Sequence, residues 1–143
     1  MILVDANLLL FAVNLDAPEH DRSKIWLDRA LSGSTRVGLP WPSLLAFIRL
    51  SSNPVIVRHP LTPGTAWQQV RDWLGANVAW IPTPGERHIE ILGQLFAGTT
   101  MSSRLVSDAH LAALAIEHGL TLCSTDGDFA KFPGLKWQNP LAA

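Results

Sequence analysis

Five short apolar runs, separated by longer helical patterns, constrain the fold of this 143-residue chain more than any other feature. No two of the runs are joined by the two-residue turn that an antiparallel hairpin requires. Strands that alternate with helices form a mainly parallel sheet with helices on both faces, so the pattern predicts an α/β fold. The predicted strands are residues 2–4, 36–39, 78–81, 120–123 and 135–137.

Helical periodicity fills the segments between these runs. Pro42 suits the first turn of one helix, and Gly119 is a natural end for the last. With 48% apolar and 16% charged residues, the composition argues against disorder. No repeat or linker interrupts the pattern, so we expect residues 1–143 to form a single domain. The predicted helices are residues 8–13, 20–31, 43–50, 63–74, 86–96 and 107–118.

Simple counts exclude several classes of protein. The formal net charge of -1 argues against a protein that holds nucleic acid through bulk positive charge. Cys123 is the single cysteine, so an intramolecular disulfide is excluded, and the zinc-type spacing of Cys and His is missing. No uncharged run reaches the roughly 18 residues of a membrane span. We therefore expect a cytoplasmic protein that makes no membrane contact.

Four aspartates fall close to the predicted strand ends. Asp5 directly follows the first strand, and Asp126 and Asp128 follow the fourth. Asp108 lies in the first turn of the helix that leads into the fourth strand. Binding sites of open parallel sheets form beyond the carboxyl ends of the strands. Carboxylate oxygens are the ligands that Mg²⁺ and Mn²⁺ prefer, so this pattern indicates a metal site that hydrolyses phosphodiesters.

Each of these acids also has a purely structural interpretation. Asp108 can complement a helix dipole, Asp126 can form an Asx turn, and Asp128 can cap the segment that begins near Phe129. Asp5 is harder to explain in this way. An ionised group between apolar runs is costly unless it is paired or bound to metal.

Three acidic segments resemble the motifs of PIN domains, in the same order along the chain. They are residues 1–7 (MILVDAN), 108–115 (DAHLAALA) and 124–129 (STDGDF). Residues 39–41 with 44–49, and 132–135 with 140–141, resemble one branch of the VapC-type toxins within that family.

The resemblance implies a PIN-like fold and a Mg²⁺- or Mn²⁺-dependent endoribonuclease, the toxin of a type II toxin–antitoxin pair. It assigns Asp5, Asp108 and Asp126 as metal ligands, with Asp128 completing the catalytic acids. Ser124 stands where the family often has Thr. The resemblance also implies a homodimer, neutralisation by a VapB-like antitoxin, and a structured RNA substrate such as tRNA.

One position departs from that family pattern. Many PIN nucleases carry a Glu in the helix after the second strand, where this chain has Phe47. The site would then operate with its Asp residues alone, recruit Glu86 or Glu90, or be catalytically weak. The alternative function is therefore a PIN module that binds RNA or a protein without cleavage. A metal-dependent phosphatase of another α/β family is a more distant alternative.

Other candidate residues have competing interpretations. Arg49 lies in an otherwise apolar helix and suits an RNA phosphate, the acid cluster, an interior salt bridge or an antitoxin contact. His110 and His118 are expected to be structural. Tryptophans are expected in core or dimer packing rather than in base stacking, namely Trp67, Trp73 and Trp80.

Overall fold

A computed structural model describes residues 1–142 of the chain. It contains a five-stranded sheet, six α-helices and two short 3-10 helices. The elements run in the order β1 (Ile2–Val4), α1 (Ala6–Val13), α2 (His20–Leu31), β2 (Val37–Gly38), α3 (Trp41–Ser51), α4 (Pro63–Leu74), β3 (Ala79–Trp80), α5 (His88–Gly98), a 3-10 helix (Ser103–Leu105), α6 (Val106–His118), β4 (Thr121–Cys123), a 3-10 helix (Gly127–Lys131) and β5 (Trp137–Gln138).

All four strand pairings are parallel, and the strand order is β3-β2-β1-β4-β5. The chain therefore places β1 and β4 side by side at the centre, although more than a hundred residues separate them. Val4 pairs with Cys123 at the ends of these two strands. The residues that follow them therefore emerge together at one edge of the sheet, as expected for parallel neighbours.

The predicted α/β fold is confirmed, because helices cover both faces of the sheet. Leu3 and Leu122 belong to one core, which also contains the inner faces of α5 and α6. Val4 and Cys123 belong to the other core, with the inner faces of α1, α2, α3 and α4. Successive strand residues thus point to opposite faces.

Strand β1 has the predicted bounds, β2, β3 and β4 are shorter than their apolar runs, and β5 lies at Trp137–Gln138 instead of the predicted 135–137. The hydrogen bonds of β2 extend beyond its assigned residues. Only residues 37–38 of the predicted 36–39 are assigned to β2. The Ile2 N–H nevertheless donates to the Arg36 carbonyl at 3.3 Å, and the Leu39 N–H to the Trp80 carbonyl at 2.8 Å. The hydrogen bonds of β2 to its two neighbouring strands therefore extend over all of the predicted residues 36–39.

Helices α2 and α4 have the predicted bounds, and the other four helices differ from the prediction by one or two residues. Helix α1 begins at Ala6 rather than at residue 8, because Asp5 caps it. Helix α3 begins at Trp41, with Pro42 in its first turn, and α5 begins at His88 instead of residue 86. Among residues 1–142, no helix is both long and apolar enough to span a membrane.

Candidate active site

Asp5 is held at the junction between β1 and α1. Its backbone is extended, and its Oδ1 accepts the Ala6 N–H at 2.8 Å, so it is the N-cap of α1. Its Oδ2 accepts the Ser124 hydroxyl at 2.7 Å. Both carboxylate oxygens are therefore oriented by the protein. Burial raises the pKa of Asp5, these two hydrogen bonds lower it in part, and the negative charge of Asp126 adds to the increase.

Ser124 connects the ends of the two central strands. It is fully buried, and its hydroxyl accepts the side-chain N–H of Asn7 and the backbone N–H of Asp126, both at 3.0 Å, while donating to Asp5. Its position explains this network, because Ser124 follows β4 just as Asp5 follows β1. The Ser124 hydroxyl therefore orients the carboxylate of Asp5, while the role that the sequence suggested for Ser124, an accessory or RNA-contacting residue, stays a prediction.

Asn7 was not singled out as a site residue from the sequence. Its amide donates to the Ser124 hydroxyl at 3.0 Å, and its carbonyl oxygen faces the Thr125 N–H at 3.5 Å. A polar side chain two residues after Asp5, inside an apolar segment, was the available signal.

Asp126 and Asp128 begin the 3-10 helix after β4. The Oδ1 of Asp126 accepts the Asp128 N–H at 2.9 Å, which is the predicted Asx-type contact, and Asp126 rather than Asp128 is the N-cap of this 3-10 helix. The carboxylate of Asp128 pairs with Lys131 at 3.0 Å and with Arg104. These hydrogen bonds, first from Lys131 and then from Arg104, lower the pKa of Asp128.

Asp108 lies in the first turn of α6 and is half-buried. Burial raises its pKa to about 6, and the negative charges of Asp5, Asp126 and Asp128 contribute to that increase. Carboxylates affect one another in this way only when they lie close together. The structure therefore brings all four predicted acids into one neighbourhood at the carboxyl ends of β1 and β4.

The model of the PIN domain matches residues 2–135, nearly the whole chain. The chain belongs to the PIN-domain family. Ribonuclease VapC37 of Mycobacterium tuberculosis is 46% identical over 142 residues, which cover 99% of both chains. Ribonuclease VapC33 of the same species is 38% identical, with 99% of both chains covered. The resemblance to VapC-type PIN domains is thus confirmed.

Solved structures give the same fold for this PIN domain. VapBC2 from Rickettsia felis, bound to a DNA fragment from its promoter, superimposes with a TM-score of 0.69 at 17% identity and covers 97% of this chain and 98% of that one. FitAcB from Neisseria gonorrhoeae gives a TM-score of 0.63 at 20% identity, with 98% of both chains covered. At these identities, the likeness establishes the architecture.

The oxygen-only donor set of these four acids suits a hard divalent cation. Burial and then the neighbouring negative charges raise the pKa of Asp108, and a bound cation would offset both effects. The arrangement is not preformed, however. Among residues 1–142, no group of three or more His, Cys, Asp or Glu side chains is placed to hold a metal ion. Both oxygens of Asp5 are engaged by hydrogen bonds, and those of Asp128 by cations.

Phe47, at the position where many PIN nucleases have Glu, is a core residue. It is fully buried and packs edge-to-face against Trp73, with ring centroids 4.8 Å apart. Glu86 and Glu90 are exposed and do not contribute to the pKa shift of Asp108. Neither Phe47 nor these two glutamates therefore adds a carboxylate to the cluster of Asp5, Asp108, Asp126 and Asp128.

Arg49 is exposed on α3 and forms no ion pair with any residue of the described chain. The structure thus places it neither in an interior salt bridge nor against the acid cluster, two of its four predicted roles. Contact with RNA or with an antitoxin stays a prediction.

Two histidines of α6, His110 and His118, contact neighbouring segments. His110 and His88 share a hydrogen bond of 3.1 Å between their rings, at the junction of α6 and α5. His118 bonds the Thr83 carbonyl at 2.7 Å and packs against Trp80. Both histidines therefore hold helix α6 to neighbouring segments, as a structural role requires.

The tryptophans divide between the core and the surface. Trp73 is buried as predicted, and Trp80 is half-buried. Trp67 does not lie in the core, since it is 43% exposed and stacks on Trp41, which is 39% exposed, with ring centroids 6.3 Å apart. Its place in a dimer interface stays a prediction. Helical periodicity could not identify this pair, because its partner lies on another helix.

Proposed function

We propose that this PIN domain is a metal-dependent endoribonuclease, the toxin of a VapBC-type pair, which hydrolyses phosphodiester bonds of structured RNA such as tRNA. The observation that carries the proposal is the meeting of Asp5, Asp108, Asp126 and Asp128 at one edge of the sheet. Ser124 bonds both the Asp5 carboxylate and the Asp126 N–H, and the Asp126 carboxylate bonds the Asp128 N–H. The charges of these three acids all act on Asp108. Support comes from the VapC ribonucleases that align with the entire chain.

The chain's own residues have distinct tasks in this proposal. Ser124 and the N-terminus of α1 fix both oxygens of Asp5. Asp108 and Asp126 are less constrained and supply the remaining oxygen ligands. Mg²⁺ or Mn²⁺, when bound there, supplies an activated water and stabilises negative charge developing on the phosphate. Binding of the cation favours the charged form of Asp108, whose pKa is otherwise raised to about 6.

Partners follow from the same proposal. The solved neighbours are described as VapBC2 and FitAcB complexes, so we expect an antitoxin to cover the acidic edge of this chain. A basic side chain placed among the four acids would neutralise them. We also expect a homodimer that acts in the cytoplasm.

One observation favours a second candidate, a PIN module that binds RNA or a protein without cutting. Phe47 removes a carboxylate that many PIN nucleases have, and the described acids are not arranged as a ready metal site. A site with four acids still has enough oxygens for one ion, which is why we favour the nuclease.

Cleavage of tRNA in Mg²⁺ or Mn²⁺ tests the proposal, with Asp5→Asn and Asp108→Asn as test variants. Asn keeps the shape and cap-forming ability of Asp but removes its charge. Asp21→Asn, in the first turn of α2, is the matched control. We expect cleavage by the wild type and the control, and a loss of at least about a hundredfold in both test variants. Cleavage that survives both chelation and Asp5→Asn would refute the metal nuclease, whereas binding without cleavage would favour the module.

A further inference from the structure

Asp128 differs from the other three acids because two cations hold it. Arg104 bonds its Oδ2, and the Lys131 ammonium lies 3.0 Å from its Oδ1. Arg104 comes from the 3-10 helix before α6, and Lys131 ends the 3-10 helix after β4. One carboxylate thus joins two positive side chains from segments that are distant in sequence.

Both cations keep most of their surface open to solvent. The side chain of Arg104 is 68% exposed and that of Lys131 is 52% exposed. A guanidinium has five N–H donors and an ammonium has three, so each retains donors after bonding Asp128. Arg104 also interacts electrostatically with Asp126 and Asp108, which places it beside the acid cluster rather than on a remote surface.

A cluster of four carboxylates repels the RNA backbone that a nuclease must bring to it. Cations beside the cluster reduce this repulsion and contact the phosphates next to the one that is cut. In a chain with a net charge of only -1, such cations must be local, because the whole molecule does not attract RNA.

We propose that Arg104 and Lys131 form a phosphate clamp, in which Asp128 positions the two cations and RNA phosphates bind their free donors. This inference rests on the proposed function, since it names how the RNA is held at the same site. It also gives Asp128 a role as a positioning residue, separate from the metal ligands Asp5, Asp108 and Asp126.

A surface ion pair elsewhere on the molecule provides the comparison. Lys24 pairs with Asp28 at 2.7 Å on α2, and both side chains are more than half exposed. Arg29 is exposed on the same helix, near the end that leads to the opposite edge of the sheet. Lys24→Gln and Arg29→Gln therefore remove the same charges as Lys131→Gln and Arg104→Gln, but at positions that do not contribute to the pKa shifts of Asp5, Asp108 or Asp128.

Binding of a labelled single-stranded RNA oligonucleotide, measured in EDTA at several salt concentrations, tests the clamp without requiring turnover. A gel checks that the RNA stays intact. We expect each clamp variant to weaken binding about three- to fivefold at low salt, and to reduce the slope of log affinity against log salt by about 0.7. The double variant should reduce this slope by about twice as much as either single variant. Arg104→Lys, which keeps the charge, should retain the slope.

The clamp is refuted if the slopes of Arg104→Gln and Lys131→Gln match those of Lys24→Gln and Arg29→Gln, or if the wild type binds no RNA. The proposed nuclease is tested separately by cleavage in Mg²⁺. Clamp-dependent binding with no cleavage by the wild type supports the clamp and overturns the nuclease. Cleavage by the wild type, together with salt slopes that the clamp variants leave unchanged, supports the nuclease and overturns the clamp.

Discussion

At the residue scale, the Ser124 hydroxyl joins more of the site than any other single group. Replacing Ser124 by Ala removes the donor to Asp5 and leaves the Asn7 amide and the Asp126 N–H without their acceptor. We expect Ser124→Ala to lower the free energy of unfolding by about 2 kcal/mol, because buried polar groups lose their partners. Urea denaturation measures this loss.

Ser124→Thr is the matched control, since it retains the hydroxyl. We expect it to remain closer to the wild type than Ser124→Ala does. An alanine variant as stable as the wild type would show that the network does not stabilise the fold.

Asp108 should make the protein less stable as the pH rises, whereas an acid paired with a cation makes a protein more stable as the pH rises. Its folded pKa of about 6 exceeds the unfolded value of 3.8, so the charged form destabilises the fold. This cost is fully present above pH 6 and disappears as the pH falls below the unfolded value. Asp108→Asn should therefore be more stable than the wild type at pH 8, by about 1 kcal/mol after solvent screening, and no more stable at pH 3.5.

Thermal or urea unfolding across this pH range measures the effect, and Asp21→Asn is again the control. Asp21 also lies in the first turn of a helix, so it reproduces the contribution of the helix dipole and is not among the charges that raise the pKa of Asp108. A gain that does not depend on pH would contradict the electrostatic origin.

Sequence reasoning could place Asp5 and Asp126 because both follow apolar runs that end at strand ends. It could not place Lys131 at the site, since a basic residue three positions after Asp128 is equally typical of a solvated helix face. The pairing with Arg104 depends on where two distant segments meet, which no local pattern records.

At the element scale, two glycines should respond to alanine with opposite signs. Gly119 ends α6 with φ of 67°, a left-handed conformation that a side chain strains. Gly93 lies inside α5, and no atom stands within 4 Å of an added Cβ. We expect Gly119→Ala to lower the free energy of unfolding by about 1 kcal/mol and Gly93→Ala to raise it by about 0.5–1 kcal/mol.

Thermal denaturation of both variants gives this comparison within one protein. Two changes of the same sign would show that backbone conformation does not decide the outcome at these positions.

The inner face of α3 has no room for the carboxylate found in many PIN nucleases. We expect Phe47→Glu to cost more than about 3 kcal/mol, because it loses the contact with Trp73 and buries a charge. Leu45→Glu, on the exposed side of the same helix, should change stability by less than about 0.5 kcal/mol. Circular dichroism during denaturation distinguishes the two, and a stable Phe47→Glu protein would contradict the assigned packing.

The sequence predicted which segments form helices and strands better than it predicted the residues at which they begin and end. Apolar periodicity located all six helices, yet α1 begins two residues early because Asp5 caps it, a contact that involves the end of a strand. Strand runs predicted the sheet but not its order, because every parallel order fits the same alternation.

At the scale of the whole molecule, the strand order assembles the site. Since β4 lies beside β1, residues near the two ends of the sequence converge at one edge, while β2 and β3 extend the sheet on the other side. The fold class could be predicted from the sequence, whereas this adjacency required the three-dimensional pairing. Their positions near strand ends, together with the PIN resemblance, predicted that the acids meet, but only the structure shows that each has a different environment.

Cys123 makes that central pairing measurable. Its thiol is buried in β4, its pKa is raised to about 12 by burial, and Val4 of β1 lies opposite. A thiol-reactive dye needs the thiolate, so we expect Cys123 to be labelled only in molecules in which β4 has opened. The labelling rate should increase with urea concentration in parallel with unfolding. Labelling as fast as that of an unfolded chain in native buffer would contradict this. Because Cys123 is the only thiol in the chain, its labelling rate reports how often β4, the strand that directly precedes Ser124, opens.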